Sequence, residues 1–473
     1  MDLDVYSGKL EYRDIIFDYV FDGGTLRLIP PTELKSQLYY DWFMKKIGDG
    51  AYTMAEPPMM EEPYLIGKNN EDGRRMIFIT ATNSAIGSYN SVFIVKIVAV
   101  IKCRLERSGI DRISFSGPEI SRIHPVEKAF SFLWKEPELE NGVFTVKTNP
   151  FIETSTHKQR FTVDGVCVFV SFDISRSMNN KEKHTPLSLE SSMMFEFQET
   201  DDYAFIYRLY RLAKEFIQYL CYRKDIVFTG IKISAPYDGG KHEHFANMLV
   251  IDESDQVDSV SIEKNRIIRR DRLAGVEGSI LNDIAKGDIY LRHIPESYSS
   301  GRNIDAARFV MITAAFEWEY RRLFPGGEEK SEKRLKAETE AREIIQQWID
   351  DKRGNKKLRD IFKNLKNHIG FSPLEKRIIH VGNEFENIVG DMGEYIYIIN
   401  DEELRYNEMG KRLAGQRNNF AHGNLDKEFE GLALLDLIYL EVLVYAMQLR
   451  YYGIPRNEIR HSVNELFHLN QSV

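Results

Sequence analysis

Up to about residue 200 the apolar positions come in short β-type runs separated by turn residues. The pattern predicts strands at Thr25–Ile29, Arg75–Thr80, Val92–Ile101, Arg112–Ser116, Phe144–Lys147, Arg160–Val163, Cys167–Phe172 and Met193–Phe197. Gly23-Gly24, Asn69-Asn70, Asp164-Gly165 and Asn179-Asn180 punctuate them, and Asp164-Gly165 between two such runs is a hairpin signal. From Tyr203 to Tyr222 the period changes. Phe205, Ile206, Leu209, Leu212, Phe216, Ile217 and Leu220 recur as on one side of a helix, and a further strand is expected at Ile226–Ile233. An antiparallel sandwich or barrel with a packed helix accommodates this pattern, and a sandwich-like unit is the expectation.

Asp238-Gly239-Gly240, a β-type run at Phe245–Ile251 and the charged stretch Lys264–Arg272 mark the end of that unit. From Asn303 the pattern is helical, with helices predicted at Ile304–Phe324, Ser331–Asp351, Lys356–Ile369, Pro373–Val389, Glu402–His422, Leu425–Tyr452 and Arg456–His468. Gly326-Gly327, Gly354, Gly370, Gly390, Gly393, Gly423 and Gly453 fall among them as stop signals. The expected organisation is therefore α+β: a β-rich unit over 1–235, a connector with short strands over 236–300 and an all-α unit over 301–473.

A chain of 473 residues exceeds what one core usually serves, which agrees with more than one domain. Its net charge of -9 argues against a general coat for nucleic acid but leaves room for a local basic patch. Lys352, Arg353, Lys356, Lys357, Arg359, Lys363 and Lys366, opposed in their own run by Asp360 alone, form one. They read either as a phosphate-backbone contact or as a solvated face balancing Glu338, Glu340, Glu343, Asp350 and Asp351 upstream. Cys103, Cys167 and Cys221 form no CxxC pair, which fits a reducing compartment and offers no zinc framework. The acidic start Met1-Asp2-Leu3-Asp4 lacks a charged-then-apolar leader pattern, so the cytoplasm is the expected compartment. Val92–Ile101, interrupted by Lys96, is well short of the roughly 20 residues of a bilayer span and reads as a buried strand, so no membrane partner is expected.

Several kinds of chemistry find no support. Neither Asp238-Gly239-Gly240 nor Gly326-Gly327 is followed by the Gly-Lys-Ser/Thr of a P-loop, so no nucleotide cofactor is expected. His242 and His244 have no nearby residues that complete a metal site and read as loop histidines, so no metal is expected. Tyr39, Tyr40 and Trp42 could line a ligand site, but packing is the simpler account.

Arg417-Asn418-Asn419-Phe420-Ala421-His422-Gly423 combines a fixed cation, an amide and an imidazole at the expected end of a helix. Asn418 and His422 are four apart and share a helical face, with Arg417 flanking it. Arg456–His461 repeats the Arg-Asn-x-x-x-His spacing, and on spacing alone either copy is equally a solvated helix end. Position separates them: Pro455 puts Arg456 in a first turn, whereas Arg417–His422 closes a long helix and runs into Gly423. Such a set can cleave RNA through attack of the 2′-OH on the adjacent phosphate. His422 would take the hydroxyl proton or give one to the leaving 5′-oxygen, and Arg417 would stabilise the charged phosphorane. DNA lacks that hydroxyl. Each chain supplies one such histidine, and pairing two chains across a two-fold axis would supply two.

Arg417-Asn418-x-x-x-His422 at a helix end in an all-α unit resembles the HEPN superfamily of ribonucleases. More narrowly, Phe316-Glu317 in the first predicted helix together with Arg417–Gly423 resembles the ApeA-like HEPN domain. Ile120-Ser121-Arg122-Ile123-His124-Pro125 and the helix Tyr203–Tyr222 are similar to the N-terminal domain of ApeA-type defence proteins. The resemblance implies a metal-independent endoribonuclease of antiphage abortive infection, acting on RNA, often transfer RNA. It also implies a homodimer formed through a HEPN helical bundle, with the β-rich unit as a sensor or regulatory domain for a phage-derived trigger. Arg417 and His422 match its two defining positions, Asn418 its polar residue, and Glu317 an acidic position of the first helix for which Glu319 competes. The alternative is a non-catalytic HEPN dimerisation scaffold carrying a ligand- or protein-binding β domain.

Overall fold

Leu10, Tyr12, Phe17, Tyr19 and Phe21 alternate with less buried positions along β1 (Tyr6–Tyr12) and β2 (Ile15–Asp22), the period-two pattern of strands with one face on a core. A computed structural model of the chain describes residues 5–133, 145–178, 187–251, 266–327, 331–352, 354–370, 372–423, 429 and 431–469. Phe144, Asn179-Asn180, Lys264, Arg353, the Met1–Asp4 start and positions 425–428 and 430 of an expected helix lie outside these residues.

After β3 (Thr25–Ile29) come helix α1 (Lys35–Phe43) and an exposed hairpin of β4 (Met44–Gly48) and β5 (Ala51–Met54). Then follow β6 (Tyr64–Asn69), β7 (Arg75–Thr80), the short β8 (Gly87–Tyr89) and the 12-residue β9 (Val92–Cys103). Antiparallel pairing runs β1-β2-β3-β9-β7-β6 and returns to β1, so these six strands close a barrel. Its interior is aromatic: Tyr19 and Phe21 pack on Phe78, with ring centroids 5.0 and 5.5 Å apart. Gly67 is required where β6 passes the Tyr19 ring, since a Cβ there would lie 2.7 Å from it. From α1, Trp42 stacks on Phe93 at 4.5 Å and Tyr39 on Phe43 at 5.7 Å, so both act in packing, while Tyr40 sits on Tyr52 of the exposed hairpin.

The second half of this unit contains β10 (Ile110–Ser116), α2 (Pro118–Ile123), a small hairpin of β11 (Phe130–Leu133) and β12 (Thr145–Thr148), β13 (Gln159–Val163), β14 (Val166–Met178) and β15 (Leu187–Thr200). Helix α3 (Tyr203–Cys221) and strands β16 (Gly230–Tyr237) and β17 (Lys241–Val250) follow. One edge of β9 serves β3 at Phe93–Lys96 and β17 at Ala99–Cys103, so the barrel continues into a sheet ordered β17-β16-β10-β15-β14-β13. A continuous sheet with one end rolled shut thus replaces the expected sandwich. Asp164 and Gly165 take φ of +49° and +83° in the β13–β14 turn. Asp202 caps α3 by accepting from the Phe205 amide at 3.0 Å, and Phe205 and Tyr210 pack on Phe197 and Phe228.

Two expectations for this region change. The strand expected from Ile226 begins at Gly230, because the preceding amides are taken elsewhere, Asp225 by the Glu296 carbonyl and Thr229 by that of Ser116. The connector expected over 236–300 is shared out, because Gly239 and Gly240 (φ +73° and +74°) turn the chain directly into β17. The chain divides into two compact units, one of 1–271, 275–288 and 296–298 that includes helix α4 (Glu277–Lys286), the other of 272–274, 289–295 and 299–473.

The second unit is helical, and among the described residues no helix is long and apolar enough to cross a membrane. Its long helices are α5 (Ala306–Leu323), α6 (Glu332–Asp351), α7 (Lys356–His368), α8 (Leu374–Phe385), α9 (Asp391–Ile398), α10 (Tyr406–Ala421), α11 (Ala433–Tyr451) and α12 (Arg456–Phe467). Asp305, Ser331 and Asn355 cap α5, α6 and α7 with their side chains. α11 is buried on nearly every side, and α5, α8, α9, α10 and α12 pack around it. Helix α9 was not expected, because Gly390 and Gly393 read as stops. Gly393 instead admits the Tyr439 ring of α11, which a Cβ would meet at 2.5 Å, and the chain passes from α8 through a π-turn at Glu386–Gly390. α10 starts at Tyr406 rather than Glu402, since Asp401 is left-handed (φ +59°) and Arg405 extended (φ -134°).

His124 ends α2 fully buried, its Nε2 donating to the Thr154 carbonyl at 2.8 Å and its ring beside Phe172. Burial pulls its pKa down from 6.5 to about 4, so it folds neutral. Between those values the unfolded chain binds a proton that the folded chain refuses, so the stability contributed by neutral His124 is present above pH 6.5 and lost as pH falls towards 4. Urea denaturation at a series of pH values should show wild type losing about 3 kcal/mol more than His124→Gln from neutral pH down to pH 4. Parallel pH profiles would contradict a buried neutral imidazole.

Candidate functional site

Helix α10 turns Met409, Leu413, Gln416 and Phe420 into the bundle, the spacing of one helical face. Phe420 anchors its last turn edge-on against Phe309 of α5 at 5.5 Å. Asn418 and His422 consequently lie on the opposite, exposed side, and Arg417 on the flank between. His422 is the C-cap, its amide donating to the Asn418 carbonyl at 3.0 Å, and Gly423 follows in the left-handed conformation at φ +83°.

Arg417 reaches towards α5, where it pairs with Glu317 Oε2 at 3.4 Å and donates to Asn418 Oδ1 at 3.4 Å. Glu317 is shared: its Oε1 lies 3.7 Å from Nη1 of Arg377, a buried residue in the first turn of α8 that also stands over the Tyr320 ring at 5.4 Å. Arg377 was not foreseen, because a single basic residue at a helix start becomes informative only once α8 is placed beside α5. Glu319 does not join this group. Two residues along a helix lie about 200° apart, so Glu319 points inward and accepts from the Tyr290 amide, Gln448 Nε2 and Arg322 Nη1 at 3.0–3.1 Å. Desolvation raises its pKa. The structure thus brings Arg417, Asn418, Glu317 and Arg377 together. The His422 imidazole has no hydrogen-bond partner among the described residues.

Behind the site a second network fixes α10. Arg412 bonds Asp436 of α11 with Nε at 2.7 Å and Nη2 at 2.8 Å, and the Tyr397 hydroxyl donates to the same carboxylate. Asp436 is 0% exposed. Its hydrogen bonds push the Arg412 pKa further above the usual guanidinium value, and burial pushes the Tyr397 phenol up.

Arg456 and Asn457 are exposed in the first turn of α12, and neighbouring Arg460 pairs with both Asp391 oxygens at 3.0 and 2.7 Å. His242 and His244 lie on strand β17 rather than a loop, bonded to Asp111 at 3.0 Å and Arg104 at 2.7 Å. Among the described residues no group of three or more His, Cys, Asp or Glu side chains is placed to hold a metal ion. Comparison of the chain with family models, curated proteins and solved structures finds no match.

Asp436→Ala, which strands Arg412, should cost about 3 kcal/mol by urea denaturation, whereas His422→Ala should stay within about 0.5 kcal/mol of wild type. Equal stabilities would contradict the division between a buried anchor and an exposed candidate group.

Proposed function

We propose that the helical unit is a HEPN-type, metal-independent endoribonuclease. The observation that carries this reading is the outward placement of His422 just past the end of α10, beside an Arg417 oriented by Glu317. The exposed imidazole can take the 2′-OH proton or supply one to the leaving 5′-oxygen. Arg417, 38% exposed at its side chain, keeps donors free for a phosphate while Glu317 limits its motion. Glu317 is a positioning residue, and Asn418, exposed beside His422, is placed to hydrogen-bond the same substrate. Full acid-base catalysis calls for a second proton-transfer group, which His422 of a second copy in a homodimer would supply. The wider reading is antiphage abortive infection, with transfer RNA among the substrates and a phage-derived trigger at the β-rich unit.

Incubation of the full chain with total cellular RNA in the presence of a chelator tests the assignment. Wild type and His461→Ala should cut, and His422→Ala and Arg417→Ala should lose at least about 100-fold in rate. Cutting that survives both losses, or is absent from every RNA offered, would leave the non-catalytic scaffold as the reading.

A further inference from the structure

Helix α7 carries Lys356, Arg359, Lys363 and Lys366 at i, i+3, i+7 and i+10, one stripe along about 15 Å of helix axis. Leu358, Ile361, Phe362 and Leu365 fall on the opposite side, where Phe362 packs on Trp348 of α6 at 5.4 Å. Among the described residues no carboxylate of α6 forms an ion pair with this stripe. Glu332 pairs with Lys336 at 2.8 Å and Glu338 with Arg334 at 3.1 Å, both within α6, and Asp350 accepts from Gln346 at 3.2 Å. Lys366 meets α6 through an amide oxygen, that of Gln346 at 2.6 Å, and among the described residues none of the four cations has an ion-pair partner.

The stripe is joined in sequence to α8, which packs beside the candidate site. A Cβ on Gly410 of α10 would meet the Glu375 backbone, and one on Gly382 of α8 would meet the Tyr406 ring, so α8 and α10 run antiparallel. Arg377 in the first turn of α8 and Arg417 in the last turns of α10 share Glu317 accordingly. α8 therefore begins beside Gly410, and α10 runs on from there for 12 residues, about 18 Å of helix axis, to His422. α7 stops at His368 and α8 starts at Leu374, a stretch of chain spanning at most about 20 Å.

We propose that the α7 stripe holds the sugar-phosphate backbone of an RNA strand running to His422, an inference that rests on the ribonuclease reading for the identity of its ligand. Four cations over about 15 Å match about four phosphates of one strand at ~3.4 Å of axis each. Contacts of this kind bind without reading sequence and set the register of the substrate.

The test uses the full chain carrying His422→Ala, which binds without cutting, and a labelled single-stranded oligouridylate followed by fluorescence anisotropy over a range of salt. Adding Lys356→Gln, Arg359→Gln, Lys363→Gln and Lys366→Gln together should weaken binding at least about 10-fold near 0.1 M salt, and make the slope of log affinity against log salt shallower by about 3. Lys356→Arg, Lys363→Arg and Lys366→Arg together should preserve both. Unchanged affinity and slope in the glutamine variant would overturn the proposal, as would self-association lost in that variant while RNA binding persists. Stripe-dependent binding by a chain whose parent cuts no RNA would keep the stripe and remove the ribonuclease reading. Stripe-independent binding by a chain whose parent cuts would do the reverse.

Discussion

A carboxylate with no access to water is tolerable only if its charge is met, and Asp436, in the first turn of α11, is such a group. Two hydrogen bonds from Arg412 and one from Tyr397 meet it, tying α10 and α9 to α11 at one point. Because α11 is the buried axis around which its neighbours pack, that point sets where α10 lies along the bundle. Phe420 against Phe309 then sets how its last turn is rotated. Together they determine that Asn418 and His422 face out while Arg417 turns towards Glu317. The candidate chemistry is a consequence of this anchoring.

The same arrangement separates stability from chemistry along a single helix. Groups on the inward side of α10 are satisfied by protein, whereas those on its outward side are left to solvent. Glu319 and Glu317 of α5 show a like division two residues apart: one is saturated by interior donors and desolvated, the other is partly exposed and shared between two arginines. A similar contrast separates Glu332 and Glu338 of α6, which pair within their own helix, from the unpaired cations of α7. In a chain of net charge -9, that local excess is a property of one face and says nothing of the total.

Strong periodicity made much of the fold legible. Arg75–Thr80 and the helices near Tyr203 and Ala306 appear within a residue or two of their expected bounds, because a long apolar stripe or an uninterrupted β-branched run leaves one reading. The barrel was not legible as a closed object. It depends on β9 offering one edge to both β3 and β17, and on Gly67 yielding to Tyr19, which are tertiary facts. Gly390 and Gly393 misled for the same reason, as close approach and chain reversal leave the same letter in the sequence. The motif at Arg417–His422 could be picked out by its place at a helix end and its trailing glycine. Arg377 could not, since only the packing of α8 beside α5 gives it a role.

The reaction proposed for His422 breaks the RNA chain along one particular path, and the ends of the products report on that path. Cleavage by 2′-OH attack leaves a 2′,3′-cyclic or 3′-phosphate on one fragment and a 5′-hydroxyl on the other, and a 2′-deoxy substitution at the cut nucleotide abolishes it. Mass spectrometry of fragments from a defined RNA should find those ends in wild type and none from His422→Ala. Fragments with 3′-hydroxyl and 5′-phosphate ends, or cutting that tolerates the 2′-deoxy substitution, would contradict it.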